Sequence, residues 1–511
     1  MAVGCAFDCA CLARQPAVAP PAGSSEPAGA KLPSASGFVV RFDKAVSDKA
    51  FSGRVYVFAT KRSGGEPRLS ASNWFMPPMI LSRDVKGVGA GGTVEFSLEP
   101  GAAMTAFPTA FGEWEKRAYQ VQAVARLSTT APVPGAGEGD LYSEPLQVEF
   151  TGNADGVGGA GGKPVELVLS KVVAAKEFRE TSRIKYFEMK SDKLSAFHGK
   201  PYTVKAGVVL PEAFDDPANK DRQWPTLYVV TGFGGDHHSV RGYAGANYKD
   251  MLVVMPDATN YYGHSVFADS AVIGPWGSAL VDEIVPAVEA KYRGAGDGSR
   301  RFVTGVSSGG WSSLWLVVTY PESFAACYSH VPDPVDFRDF QQIDLYGGSA
   351  GTPMNMFKDD KGERRPIARQ GSRPMLYYDK FVAMETALGA GGQIESFEAV
   401  FSPKNAAGTP RALFDRATGN IDPETAKAWE AYDIRLMIER NWATLGPRLK
   451  GKLHVYAGEI DNFYLEGATR LLKESLSKLG SDAVVEIVPG MGHKEAPEGR
   501  KAMLEAIAKV K

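Results

Sequence analysis

One pentapeptide constrains this 511-residue chain more than any other feature. Gly305-Val306-Ser307-Ser308-Gly309 lies between a short apolar run, Phe302 to Thr304, and a helical pattern from Trp311 to Val318. A strand that passes into a helix across so few residues makes a sterically tight turn. The flanking glycines suit it, because the backbone approaches its neighbours closely and the central serine is strained. The turn lifts the serine hydroxyl off the sheet. It also places the Ser308 backbone N–H at the start of a helix, where negative charge is stabilised. The plain alternative is a Gly/Ser-rich turn without chemistry.

The surrounding pattern gives the turn its context. Leu227 to Val230 and Leu252 to Met255 are short all-apolar runs, as expected of strands covered on both faces. Strand patterns at Phe324 to Tyr328, Leu453 to Tyr456 and Val484 to Val488 alternate with helical patterns at Trp276 to Tyr292, Glu466 to Leu479 and Arg500 to Val510. Such alternation implies an α/β fold, a doubly wound and mostly parallel sheet, over residues 164–511. A long stretch without strand signals, residues 333–450, reads as a lid-like insertion. Ahead of this body, residues 37–152 hold period-2 apolar runs separated by turn residues, the pattern of a smaller all-β, sandwich-like domain. Residues 153–163 are glycine-rich and read as a linker. Residues 1–36, dominated by Ala, Pro and Ser, read as a disordered tether.

A serine hydroxyl needs a base and an orienting acid to act as a nucleophile. Among seven histidines, His493 stands in Pro489-Gly490-Met491-Gly492-His493, a glycine-rich loop between the last strand and the last helix. Asp461, just past the next-to-last strand, is the preferred acid. Glu459 and Asp333 are the alternatives, the latter lying after the strand Phe324 to Tyr328. The order serine, acid, histidine, with the serine in a G-x-S-x-G turn, is that of an α/β-hydrolase nucleophile elbow. The loop Thr231-Gly232-Phe233-Gly234-Gly235 is small enough for its backbone to approach a substrate carbonyl. The N–H of Phe233, with that of Ser308, is the expected oxyanion hole, and Gly234 is the alternative donor. His237, Tyr261, Tyr262 and His264 are expected at the substrate rim. Adjacent His237 and His238 seldom converge on one ion, so neither a metal nor any other cofactor is expected. A histidine base predicts activity rising with pH through about 6.5.

These motifs resemble the bacterial esterase family that includes esterase D, feruloyl esterases, enterochelin esterases and the mycolyltransferases. The likeness rests on the lead-in from Leu194 to Pro211, the Thr231–Gly235 loop, Gly274-Pro275-Trp276-Gly277, the elbow and the terminal Pro-Gly-Met-Gly-His. It covers residues 184–333 and 451–511 and leaves the N-terminal domain unexplained. Many members carry His before the nucleophile, where this chain has Val306. The resemblance implies hydrolysis of a carboxylic ester through an acyl-enzyme, on a small-molecule or glycan-linked substrate. The alternatives are acyl transfer of the mycolyltransferase type, or a non-catalytic scaffold that binds a glycan or a partner.

Composition limits the partners. Lys plus Arg is 57 and Asp plus Glu is 59, a net charge of −2, which argues against nucleic-acid binding. No apolar run is long enough to span a membrane. Three of the four cysteines, Cys5, Cys9 and Cys11, precede residue 12, so the folded body has only Cys327 and no internal disulfide. Ala2-Val3-Gly4-Cys5 resembles the end of a lipoprotein signal, which implies export and a lipid anchor at Cys5. The plain alternative is an unremarkable tail on a cytoplasmic protein.

Overall fold

A computed structural model describes residues 32–510 except 62–63, 99–102, 152–163 and 348–353. The expected tether up to residue 31, the anchor at Cys5 and the linker 153–163 lie outside the described residues. Two large sheets carry the chain, one of ten strands and one of eight.

The ten-stranded sheet is mostly antiparallel and is built from strong alternation. Phe38, Val40 and Phe42 point to one side of the strand Phe38–Phe42. They meet Phe96 and Val94 of the antiparallel strand Thr93–Phe96 across the register Phe38↔Phe96 and Val40↔Val94. Cross-strand apolar pairs of this kind are the unit of sheet stability. The strand Phe51–Thr60 is buried on both faces over Val55 to Ala59. Val55, Val57 and Ala59 enter the core of this sheet, while Tyr56 and Phe58 join the core shared with the C-terminal body. The described strands are joined by hydrogen bonds into one connected sheet around its own core.

The boundary between the two units corrects the sequence reading. The strand Val165–Val172, assigned by sequence to the α/β body, pairs in parallel with Phe38–Phe42 and antiparallel with Leu141–Ser143. Its Leu167 and Leu169 complete the first core. Alternation identifies a half-buried strand but does not say which sheet it joins. Among the described residues the N-terminal unit therefore runs from the strand Ser34–Ala35, which pairs with Leu146–Phe150, to residue 172.

The eight-stranded sheet begins with Ile184–Ser191 and Tyr202–Val209, both antiparallel. It continues in parallel through Leu252–Pro256, Thr226–Val230, Arg301–Val306, Ala326–His330, Leu453–Gly458 and Val484–Val488. Strands Thr226–Val230 and Leu252–Pro256 are buried at every position, as the all-apolar runs require. Among the 333–450 residues, the helix Ile434–Leu449 packs on the elbow helix Ser308–Thr319. It is the crossover that a parallel pair of strands needs, so the insertion proper ends before it. The rest of the insertion bridges the two units. Arg54 donates to the Thr386 carbonyl (2.8 Å) and the Tyr56 hydroxyl to the Leu388 carbonyl (2.6 Å).

Candidate active site

Five loops at the carboxyl ends of the parallel strands converge, the place where open α/β sheets hold their ligands. Ser307 follows Arg301–Val306 with φ 61° and ψ −125°, a strained conformation for a non-glycine residue. The surroundings hold it there. Its N–H donates to the His330 carbonyl (3.0 Å), and its carbonyl accepts from Trp311 (2.9 Å) and Asp333 (3.2 Å). The flanking glycines answer to close approach: a Cβ on Gly309 would sit 2.1 Å from the Val230 carbonyl oxygen, and one on Gly305 would sit 2.3 Å from the Gly309 backbone.

His493 Nδ1 lies 2.8 Å from Asp461 Oδ2, both side chains being buried. Asp461 Oδ1 accepts from the Phe463 N–H (2.8 Å), which fixes the carboxylate edge-on. The His493 N–H donates to Asn462 Oδ1 (2.8 Å), and the Phe463 ring stands perpendicular to the imidazole at 4.8 Å. Burial disfavours the charged imidazole, yet the Asp461 carboxylate outweighs it and holds the His493 pKa above its ordinary value. Glu459 is exposed, and its Oε2 accepts from the Gly490 N–H (3.0 Å), away from the imidazole.

Asp333, an alternative acid in the sequence reading, is at the site but contacts the two elbow serines. Its Oδ1 accepts from the Ser307 hydroxyl (3.3 Å) and its Oδ2 from the Ser308 hydroxyl (2.5 Å). Burial pushes its pKa up to about 6. Its hydrogen bonds thus go to the two elbow serines, whereas the imidazole of His493 is bound by Asp461.

Ser307, Asp333, His493, Phe233 and Gly234 line one cavity of about 310 Å³. Ser308 begins the elbow helix. The loop Thr231 to Gly235 is closed by the Gly235 N–H on the Gly232 carbonyl (3.0 Å), and Gly234 takes φ 83°.

Four of the expected rim residues are elsewhere. His237 is buried, with Nδ1 2.5 Å from Asp257 Oδ2 and its ring stacked on Phe178. His264 is buried, its Nδ1 accepting from the Val266 N–H, and burial lowers its pKa to about 4. Tyr261 stacks under the Arg126 guanidinium and meets Tyr262 edge-on. The hairpin Thr259–Asn260/Gly263–His264 carries these residues beneath the helix Gln393–Phe401, where Ser396 Oγ accepts from the His264 N–H (2.9 Å). Once that helix covers it, the segment is packing, not rim. The cavity wall comes instead from the insertion, through Ile367, Gln393 and Phe397, and from the N-terminal sheet. No motif marks these residues.

The fold and the convergence of serine, histidine and carboxylates define an α/β-hydrolase body with a candidate nucleophile elbow. Residues 199–449 match the family model described as "Putative esterase", and that segment belongs to this family. Two curated relatives, Esterase MT1326 and Esterase Rv1288 from two strains of Mycobacterium tuberculosis, are each 30% identical over 169 residues. The match covers 29% of this chain and only 36% of each relative. Among solved structures, a ferulic acid esterase aligns over 64% of this chain and 97% of its own, at 14% identity and TM-score 0.38. An S-formylglutathione hydrolase from Agrobacterium tumefaciens aligns over 64% and 95%, at 16% identity and TM-score 0.37.

Proposed function

We propose that the chain is a serine carboxylesterase in which Ser307 is the nucleophile, His493 the general base and Asp461 the orienting acid. The observation that carries this reading is the buried 2.8 Å contact of His493 with Asp461, opening on the same cavity as a strained elbow serine. In the resting state the Ser307 hydroxyl points to Asp333. Catalysis requires it to turn to the free imidazole nitrogen, and such contacts tighten only with substrate bound. The oxygen then attacks the ester carbonyl and its proton passes to His493. The backbone N–H groups of Phe233 and Ser308 receive the developing oxyanion. Collapse of the tetrahedral intermediate releases the alcohol, which takes the proton from His493, and leaves an acyl-Ser307 ester. Water, deprotonated by the same imidazole, hydrolyses it. Asp461 stays ionised and stabilises the imidazolium.

The test is a p-nitrophenyl ester panel with mass spectrometry of the protein after a fluorophosphonate probe. The expected result is release of p-nitrophenol together with a single adduct on Ser307. Hydrolysis with the adduct elsewhere, or no hydrolysis at all, overturns the assignment.

A further inference from the structure

The N-terminal unit reaches the cavity through two loops, 67–76 and 132–136, and the first carries the large rings. Asn73 Oδ1 accepts from the N–H groups of Phe75 (3.1 Å) and Met76 (2.9 Å), a local turn that presents Trp74 inward. Behind it, Gln122 Oε1 accepts from the Arg68 N–H (3.2 Å), and the Arg68 guanidinium packs on Tyr142. The loop is therefore tied to the sheet. The half-buried Trp74 ring meets Phe381, Phe233 and Phe463 at 4.9, 5.8 and 6.0 Å, and Phe463 in turn touches the His493 ring. One ring, that of Phe463, thus lies between Trp74 and the His493 imidazole.

The wall it completes is apolar. Leu69, Trp74, Phe75 and Val133 from the N-terminal unit face Phe397 and Leu465 from the body. Two of the polar side chains in the cavity are engaged within the protein: Asp333 accepts from two serines, and the Gln341 side chain donates to the Phe463 carbonyl and accepts from the Tyr378 hydroxyl. The apolar surface also continues outward, where Leu69 is 46%, Phe75 40% and Met76 62% exposed. Large apolar side chains clustered on a surface mark a binding site. An apolar cavity of about 150 Å³ accepts a benzene ring, and this one is about 310 Å³.

We infer that the loop 67–76 of the N-terminal sheet, with Trp74 at its centre, forms a subsite for a bulky apolar group of the ester, of the size of an eight-carbon chain or an aromatic ring. The inference rests on the esterase reading of the same cavity and adds the substrate class. The group belongs either to the acyl or to the alcohol half, and both place the same chemistry against Trp74.

The experiment uses the full chain in two arms: p-nitrophenyl octanoate against acetate, and octyl acetate against ethyl acetate. The wild type should prefer the long member of at least one pair by tenfold or more in kcat/KM. The arm that responds identifies the half of the ester. Trp74→Ala should reduce that preference by tenfold or more, and Leu69→Asp should reduce it severalfold, mainly through KM. Leu69 is exposed, so this variant decides the matter if Trp74→Ala does not fold. A preference for the short member in both arms, or long-to-short ratios in the folded variants within twofold of wild type, overturns the inference. A separate readout needs no turnover: in a Ser307→Ala background, octanamide should bind tenfold or more tighter than acetamide by calorimetry, and adding Trp74→Ala should abolish that advantage. Equal binding of the two amides overturns the subsite. Selective octanamide binding by a chain that hydrolyses no ester overturns the esterase reading and leaves the subsite standing.

Discussion

The two sheets bury their strands in opposite ways and contribute in opposite ways to the site. In the eight-stranded sheet, parallel strands such as Thr226–Val230 are covered on both faces, and the chemistry lies in the loops beyond their carboxyl ends. Ser307, Asp333, Asp461 and His493 each follow a different strand of that sheet. The ten-stranded sheet is mostly antiparallel. Its strand Phe51–Thr60 sends alternate residues into two different cores, and none of its residues approaches the serine–histidine pair by hydrogen bond among those described. It supplies wall and footing. The contrast implies that substitutions in the parallel sheet's loops act on kcat, whereas those in the N-terminal sheet act on stability or substrate choice.

The largest effect expected is that of Ser307→Ala, which should lower kcat for any ester by roughly 10⁴- to 10⁶-fold, as when a triad nucleophile is lost. Activity above a tenth of wild type would place the nucleophile elsewhere. Asp461→Asn should cost about 10⁴ in kcat at neutral pH with the melting temperature little changed, because the amide holds the wrong imidazole tautomer. Its control is Glu459→Gln: that side chain is exposed and bound to Gly490, so kcat should stay within a few-fold of wild type. A collapse in the control with Asp461→Asn unaffected would reverse the assignment. On the other side of the comparison, Phe58→Ala removes a fully buried ring stacked on Tyr56 at 5.4 Å, in the core shared by the two units. It should lower the free energy of unfolding by about 3–5 kcal/mol, measured by denaturant titration, while the folded fraction keeps its kcat. A fall in kcat at temperatures where the variant is fully folded would break the division of labour between the sheets.

What the sequence showed, and what it hid, follows the same division. The elbow, the terminal histidine loop and the strands Phe38–Phe42, Leu146–Phe150 and Val484–Val488 were legible because each carries a local signal. The strand Met79–Val88 was not read. Its Ile80 packs toward the shared core and its Leu81 toward the other, which erases the period of two. The strand Val165–Val172 was seen but placed in the wrong unit, since pairing is a long-range fact. The rim was misplaced for a similar reason: His264 looks exposed in sequence, but the insertion helix Gln393–Phe401, some 130 residues later, covers it, and Arg126 of the N-terminal unit lies over Tyr261. Trp74, between Asn73 and Phe75 in a turn-rich stretch, carries no catalytic motif. Its apolar neighbours Phe75 and Met76 were the one available hint.

The smallest effect expected concerns Asp333, and it separates positioning from chemistry within the parallel sheet's own loops. The His493 pKa is raised because Asp461, with a contribution from Asp333, outweighs the burial of the imidazole. The base works only when neutral, so kcat/KM should rise with pH through a midpoint above the ordinary 6.5 and fall away as pH drops below it. Stability runs the other way. A histidine whose folded pKa is raised stabilises the fold fully below its unfolded pKa and loses that contribution as pH rises through the folded one. Asp333 itself ionises only near pH 6, because it is buried, so through the upper part of the limb it is an anion favouring the imidazolium. Asp333→Asn removes that charge and leaves an oxygen that can still accept from the serine hydroxyls. The limb should therefore move to lower pH by a fraction of a unit, and the variant should be relatively more active near pH 6 than near pH 8. The shift should persist in an Asp461→Asn background if Asp333 acts on the imidazole directly through its charge. A limb that stays in place, or moves upward, would confine Asp333 to holding the two serines.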